Sequence, residues 1–447
     1  MIEARISDYK KMRPCDLEIV DMRASFNMPK PPLYNYSWFF VLCGMMAVDF
    51  ADRSVMSIVL PSIQRDFQIN DTLAGMLGSA FALSLAFLVI PTTLWAERWN
   101  RSKACSLMVA TWSLATLSTG LCTSFPFLLL SRICVAAGEA GYIPIAYALI
   151  CDQSPERRRG FLLGFFQASG IIGTVLGNIA VGYATVRYGW RSSFVGLSVV
   201  GLCLAAVSWF MPTLSYATPH EGYKCLDKQG IASHKQSFVN AMSYLFRLPG
   251  FPLLYLIMGL STMMSSSIIL WTPTLLVRRM DLSIENASIM ASMCNLSAVA
   301  LGPLLGLAGD FLKRRFPFGR LLVAFLCAAL HPLFIWLSLL TPSSKEDLIQ
   351  FSIFWSLGVG VLAGIFSNVV THLQESVSNE YRAIASSLIP IGNQLLGGVI
   401  GPILIGAVSD LFGIAVSLAS LATLAMIPTL LLLCIAGWKI RSGPSVG

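Results

Sequence analysis

The chain has 447 residues, of which 55% are apolar and only 12% charged, with a formal net charge of +8. An ordinary soluble domain carries about 25% charged residues, so half of the usual solubilising charge is missing. Such a composition excludes a water-soluble enzyme, a disordered chain and a disulfide scaffold, and leaves a protein dissolved in lipid.

Along the chain, residues 1–36 are polar and mixed in charge, with no cleavable signal pattern, so the first apolar helix is expected to act as its own insertion signal. Twelve apolar runs of about 20 residues follow, each long enough to cross a hydrocarbon layer of ~30 Å. They fall at 37–62, 73–95, 104–121, 127–150, 160–186 and 191–211, then at 252–277, 286–308, 320–340, 348–371, 383–407 and 413–436. The predicted fold is therefore all-α and integral to the membrane. It comprises a six-helix bundle over 37–211, a cytoplasmic linker over 212–251, a second six-helix bundle over 252–437 and a tail over 438–447. The eleven cysteines mostly sit inside apolar runs, with no CxxC or Cys/His cluster, and read as small membrane hydrophobes.

Basic residues set the orientation. With the N-terminus inside, the cytoplasmic segments hold 23 of the 31 Lys and Arg residues and the external loops hold 6. This asymmetry follows the positive-inside rule and predicts both termini in the cytoplasm. The basic charge is then a topology signal, and no nucleic-acid partner is expected.

The two halves repeat one another. Gly182-Tyr-Ala-Thr-Val-Arg-Tyr-Gly189 closes the fifth span and Gly406-Ala-Val-Ser-Asp-Leu-Phe-Gly413 the eleventh. Glu97, Arg98 and Arg101 after the second span correspond to Asp310 and Arg314 after the eighth. A duplicated six-helix unit is a common plan for secondary transporters, with substrate held between the halves near mid-membrane. The charged clusters at Glu97/Arg98/Arg101, Asp152/Arg157 and Asp310/Arg314 are expected to latch the cytoplasmic side. Small residues at Gly170, Gly173 and Gly177, at Gly302 and Gly306, and at Gly397 and Gly401 are expected to let helices pack closely.

An ionisable group at the bilayer centre costs at least ~2.5–3.5 kcal/mol, so each needs a reason. Asp49, Asp52 and Glu139 lie well inside spans, accompanied by Arg53 and Arg132, all in the first half. Asp52 is about fifteen residues and Glu139 about twelve residues into their spans, near mid-depth at 1.5 Å per residue. Arg132 and Glu139 are two turns apart on one helix face, and Asp49 and Arg53 one turn apart on another. Three carboxylates against two guanidinium groups leave an excess negative charge. A helix movement that re-pairs a carboxyl changes its proton affinity and can load or release a proton. Glu139, Asp52 and Asp49 are therefore the predicted proton-coupling residues. Arg53 and Arg132 are predicted counter-charges or ligands of an anionic substrate. A purely structural role as neutralised packing pairs is the competing reading.

These residues resemble the Major Facilitator Superfamily over 37–437. Its Gly-x-x-x-Asp-Arg-x-Gly-Arg loop pattern survives as Gly306-Leu-Ala-Gly-Asp310 and is degenerate at Leu94-Trp-Ala-Glu97-Arg98-Trp-Asn-Arg101. Within it, Asp52-Arg53 followed by Leu60-Pro61, Arg132 with Gly138-Glu139-Ala140, and Arg187-Tyr-Gly-Trp-Arg191 resemble the Spinster-like group. An anion:cation symporter branch shares the first two signatures. The resemblance implies proton-linked movement of lipid-like or organic anionic substrates, with Asp52, Arg53 and Glu139 at coupling positions, or of sugar acids and other small carboxylates.

No phosphate-loop, HExxH or other enzyme motif is present, and no cofactor or metal site is expected. The expected activity is that of a proton-coupled secondary transporter, monomeric, in the plasma membrane or, in a eukaryote, an organelle membrane. An uncoupled facilitator or a transporter-like receptor is the alternative on the same fold.

Overall fold

The computed structural model describes residues 36–154, 156–211, 243–248, 250–342, 347–378 and 382–442, without the side chains of 156–157, 382–384, 386–387 and 437–442. The predicted leader (1–35), most of the linker (212–242, 249), the tail end (443–447) and the Arg157 side chain lie outside the described residues. The chain divides into two compact units, Met1–Phe40 and Val41–Gly447, and all packing below lies within the second.

The first half contains α1 (Ser37–Phe67), α2 (Asp71–Arg98), α3 (Arg101–Gly120), α4 (Phe125–Glu139), α5 (Tyr142–Gln153), α6 (Glu156–Tyr188) and α7 (Trp190–Phe210). The second contains α8 (Phe251–Arg279), α9 (Ile284–Lys313), α10 (Gly319–Leu340), α11 (Leu348–Ser376), α12 (Arg382–Gly392), α13 (Ile400–Phe412) and α14 (Ile414–Ser442). No strand occurs among the described residues. Ten helical segments are long and apolar enough to cross a membrane, α4 with α5 and α12 with α13 each counting as one. The other two predicted spans, α1 and α3, are also helical. Charged Asp49, Asp52 and Arg53 interrupt the apolar run of α1, and Ser and Thr occupy seven of the 20 positions of α3.

Two predicted spans are not uniform helices. The fourth breaks between α4 and α5 immediately after Glu139, where a Cβ on Gly141 would lie 2.5 Å from Met108 Cε. The eleventh contains a π-helical turn at Asn393–Gly398, closed by Val399 N–H donating to the Gln394 carbonyl at 2.9 Å. Such turns admit an extra residue into the helix and concentrate at functional positions.

The glycine rows act within halves. A Cβ on Gly173 would fall 2.2 Å from the Ala47 carbonyl oxygen, and one on Gly177 would lie 2.5 Å from Ala51 Cβ. Gly170, Gly173 and Gly177 therefore seat α6 against α1 on the stretch that carries Asp49 and Asp52. Gly182, further along that helix, meets the second half instead. Gly397 and Gly401 likewise face α8 at Thr262 and Met263.

The repeat is visible in backbone geometry. Gly189 (φ 81°, ψ 160°) and Gly413 (φ 81°, ψ 156°) turn the chain identically before α7 and α14, a conformation with positive φ that favours glycine. Their partners, Gly182 and Gly406, each touch the start of a helix in the other half. Gly182 meets Ser288 and Glu285 of α9, and Gly406 meets Asp71 and Thr72 of α2.

The α2–α13 crossing is the more polar one. Asp410 caps α2 from the opposite half: its carboxylate accepts from Asp71 N–H (2.8 Å), Thr72 N–H (3.0 Å) and the Thr72 hydroxyl (2.5 Å). Arg278 of α8 donates two hydrogen bonds to Asp71 at 2.8 Å and one to Gln64 at 2.9 Å, while the Ser409 hydroxyl reaches Asp71 at 2.5 Å. In the repeat, four residues past Gly182, Val186 stands where Asp410 stands past Gly406. The α6–α9 crossing instead carries Asn178 donating to Ser292 at 2.9 Å.

Gly138, one residue before Glu139, would place a Cβ 2.6 Å from the backbone nitrogen of Trp112. Backbone cannot step aside as a side-chain tip can. Gly138→Val is expected to destabilise the first half by about 1–3 kcal/mol, the usual cost of overpacking. A lowered unfolding midpoint of the detergent-solubilised protein checks this.

Candidate functional site

The five charged residues predicted from the sequence meet at one place. Asp49, Asp52 and Arg53 come from α1, Glu139 from the end of α4 and Arg132 from two turns earlier on α4. Asp49, Asp52, Arg132 and Glu139 are 0–2% exposed, whereas the Arg53 side chain keeps 24% of its surface. None of the five lies on the outside of the bundle.

Their pairing crosses between helices. Arg53 bridges two carboxylates, with Nη2 at 3.1 Å from Asp49 and Nε at 3.0 Å from Glu139. Arg132 approaches Asp52 at 3.6 Å, a looser contact. Arg132 and Glu139 share a helix face, as their spacing predicts, but each turns to its own partner on α1. The cluster thus consists of one tight triad, Asp49–Arg53–Glu139, and one loose pair, Asp52–Arg132.

Two residues join this cluster without any charge to betray them. The Thr116 hydroxyl of α3 donates to Asp52 Oδ2, the oxygen that Arg132 does not face. The Phe81 ring of α2 lies under both guanidinium groups, 6.0 Å from Arg53 and 5.2 Å from Arg132, with Phe50 at 5.5 Å from Arg53. Cations over ring faces gain most where water is excluded. A hydroxyl in the Ser/Thr-rich third span was a visible signal for Thr116; nothing in the sequence singles out Phe81.

The cluster is under-satisfied. Both Glu139 oxygens, Asp52 Oδ1, and Nε and Nη1 of Arg132 are buried without a well-formed hydrogen bond. Buried polar atoms are normally bonded, and exceptions concentrate at sites that bind or move something. These atoms are the groups able to take a proton or an anionic substrate group; no cluster of His, Cys, Asp or Glu that could hold a metal ion occurs among the described residues.

The charged residues expected to latch the cytoplasmic side pair as follows in this conformation. Arg101 binds Asp152 at 2.7 Å and Glu97 at 3.8 Å, joining α3 to α5 and α2 inside the first half. Asp310 pairs with Arg320, not with Arg314, which sits exposed at the C-cap of α9. Arg320 opens α10 and is drawn inward by Glu375 at 3.1 Å, with Lys313 also on Glu375 at 2.7 Å. Arg98 and Arg314 make no ion pair among the described residues. In this conformation these charges tie helices within each half, and the polar ties between halves stand instead at Asp71, Arg278 and Asp410.

The Major Facilitator Superfamily profile matches residues 42–402. The probable galactarate/D-glucarate transporter of Bacillus subtilis is 25% identical over 62% of this chain, which spans 66% of that protein's length. Human protein spinster homolog 1 is 26% identical over 83% of this chain and 72% of its own length. Among solved structures, a bacterial homolog of the human lysosomal transporter Spinster, inward-facing and unoccupied, superimposes with a TM-score of 0.72 at 24% identity, covering 92% of this chain and 96% of the other. The matched profile covers most of its length, so the chain belongs to the Major Facilitator Superfamily, a family of multi-pass membrane transporters and not of enzymes, and its helices are arranged as in the Spinster homolog.

Proposed function

We propose that this protein is a proton-coupled secondary transporter of a small organic anion, amphipathic or lysolipid-like, in which Glu139 and Asp52 exchange protons and Arg53 and Arg132 act as their counter-charges. The observation that carries this reading is the imbalance inside the first half. Three carboxylates face two guanidinium groups, all but Arg53 almost fully buried. Arg53 is shared by Asp49 and Glu139, so it cannot fully neutralise both. The least costly form of the cluster carries one proton, because a third bare carboxylate in lipid has no compensating cation.

A rocking movement supplies the coupling. The cluster draws on α1, α3 and α4, and its partner Phe81 lies on α2, the helix that crosses to α13. Any shift of α2 against α13 therefore reaches the floor beneath both arginines. If Arg53 moves toward Asp49, Glu139 is left to take a proton; if it moves toward Glu139, the proton leaves. Arg53, the member with exposed surface, is also the one placed to meet an anionic group of substrate.

Orientation follows from charge. The end of the bundle bearing Arg101 and Arg315 is rich in Lys and Arg and is assigned to the cytoplasm, with both termini, in the plasma membrane. The named ties at Asp71, Arg278 and Asp410 then stand on the outer side, and the conformation is inward-facing. The protein is taken as a monomer. The names of its relatives favour a second substrate reading: galactarate and D-glucarate in one, hexuronate in another, which makes small sugar acids the nearest rivals to a lysolipid. The Asp310–Arg320–Glu375 and Glu97–Arg101–Asp152 sets act as braces that keep each half rigid while it moves.

In proteoliposomes an imposed pH gradient is expected to drive concentrative uptake of the substrate, and Glu139→Gln to reduce it to the level seen without a gradient while counterflow persists. Passive equilibration that ignores the gradient in the unaltered protein, or full gradient-driven uptake in the variant, overturns the coupling. Arg132→Ala is expected to shift the pH optimum of transport and retain substrate binding, as a counter-charge should. Loss of binding at every pH assigns Arg132 to the substrate instead. Removing one member of a buried pair costs about 3–5 kcal/mol, so the variant is checked for folding by its elution profile.

A further inference from the structure

A cleft of about 560 Å³ opens beside the Asp71–Arg278 tie, between the end of α1, the turn into α2 and the end of α8. Gln64, Arg65, Gln68, Asn70, Val277 and Arg278 line it, and no acidic residue does. The acidic residues nearby are already engaged: Asp71 by Arg278, and Asp66 by Arg191 and the Trp190 indole. Arg65 and Arg278 are the charged residues of its lining, while Asp410 is held by the backbone N–H groups of Asp71 and Thr72, and the cleft walls offer N–H donors. Arg65, which lines the cleft, uses its Nε on the Pro61 carbonyl at 3.2 Å, and its terminal nitrogens make no ion pair among the described residues. The Asn70 oxygen is spent on capping α2 at Leu73 N–H, 3.0 Å away, which leaves its amide nitrogen to donate. Pro61, Ile69 and Val277 supply apolar floor.

We propose that this cleft is an anion-binding vestibule for a soluble organic carboxylate, and that its occupant competes with Asp71 for Arg278 and so unlocks the halves. The proposal rests on the reading above that this end is the outer one. Both terminal nitrogens of Arg278 are engaged, by Asp71 and Gln64. An incoming carboxylate that grips this guanidinium in the bidentate manner must displace Asp71, the bond that joins α2 to α8. Arg65 holds the incoming anion while the exchange occurs. The anion thus binds the unlocked state more tightly than the locked one, and a ligand with that preference shifts the population toward it. After the exchange, Asp71 keeps Ser409 and Gln64 as partners, and Asp410 still caps α2. The lock is thereby weakened, and closing again needs no refolding.

The test uses the full chain in phosphatidylcholine nanodiscs, with fluorophores attached through unnatural amino acids at Leu121 and Leu411. These residues are exposed at the same end, one in each half. Added D-glucarate is expected to lower energy transfer between them as the ends part, with chloride at equal ionic strength doing nothing. Arg65→Gln is expected to leave the resting transfer unchanged and raise the half-saturating glucarate concentration at least ~10-fold, the loss of one charge-assisted contact. Arg278→Gln is expected to rest at lower transfer than the unaltered protein, with the Ser409 and Asp410 ties remaining, and to ignore glucarate. A glucarate response unaltered in Arg65→Gln overturns the proposal, as does the absence of any response in the unaltered protein. So does a parting produced by phosphatidylglycerol in the disc with none from glucarate, which would make a lipid headgroup the occupant. Proton coupling plays no part in this readout, so its failure leaves the Glu139 result untouched, and the reverse also holds.

Discussion

Arg53 is held between Asp49 and Glu139 inside a bundle that offers almost no other charge. Two opposite unit charges ~4 Å apart attract by about 4 kcal/mol at an effective dielectric of ~20, while each charge brought to the bilayer centre costs at least ~2.5–3.5 kcal/mol. Those magnitudes are close, so a cation shared by two carboxylates sits near balance, and a small displacement decides which partner keeps it. An isolated pair with one tight partner would lie far from balance and be useful only as a brace. The surrounding structure keeps this cation poised: the glycine row of α6 fixes α1 at Ala47 and Ala51, the helix ends directly after Glu139, and Phe81 closes the site from α2.

The contrast with the second half follows from the same reasoning. There the polar groups buried mid-span are neutral and locally bonded, His331 to the Gly358 carbonyl at 2.9 Å and Asn368 to the Leu305 and Gly364 carbonyls, while the buried Arg320 stands at the start of α10. Groups of that kind hold helices together and carry no net charge to exchange. The charges buried mid-span concentrate in the first half. Asp410 and Arg278, the charged residues that the second half contributes to the crossing, stand at its end and not at its centre.

Much of this was legible in the sequence because lipid makes charge conspicuous. Asp49, Asp52, Arg53, Arg132 and Glu139 stand out among apolar neighbours, and their spacing on α1 and α4 correctly put them on shared faces. What spacing does not carry is the partner on another helix: Arg132 could have faced Glu139 or Asp52, and only the packing of α1 against α4 decides for Asp52. Phe81 was invisible for a related reason, since rings are ordinary in membrane helices, whereas the Ser/Thr-rich third span only hinted at Thr116. The breaks were missed because Gly141 lies inside an unbroken apolar run and because two polar residues, Asn393 and Gln394, do not by themselves mark a π turn within one.

Polar ties between the halves stand, in this conformation, at the end opposite the cluster of basic residues. Positive charge gathers at one side of membrane proteins because insertion favours it, so an acidic neighbour there has many candidate partners. Three basic residues follow Asp310, yet its partner is Arg320, on the next helix of its own half. At the opposite end charges are few, so those present have no topological reason to exist. Asp71, Arg278 and Asp410 are such charges, and each one bonds across the halves. Scarcity is the better guide: where charge is sparse each pair owes its place to the structure it builds, Asp66 with Arg191 inside the first half, and Asp71, Arg278 and Asp410 at the joint between the halves.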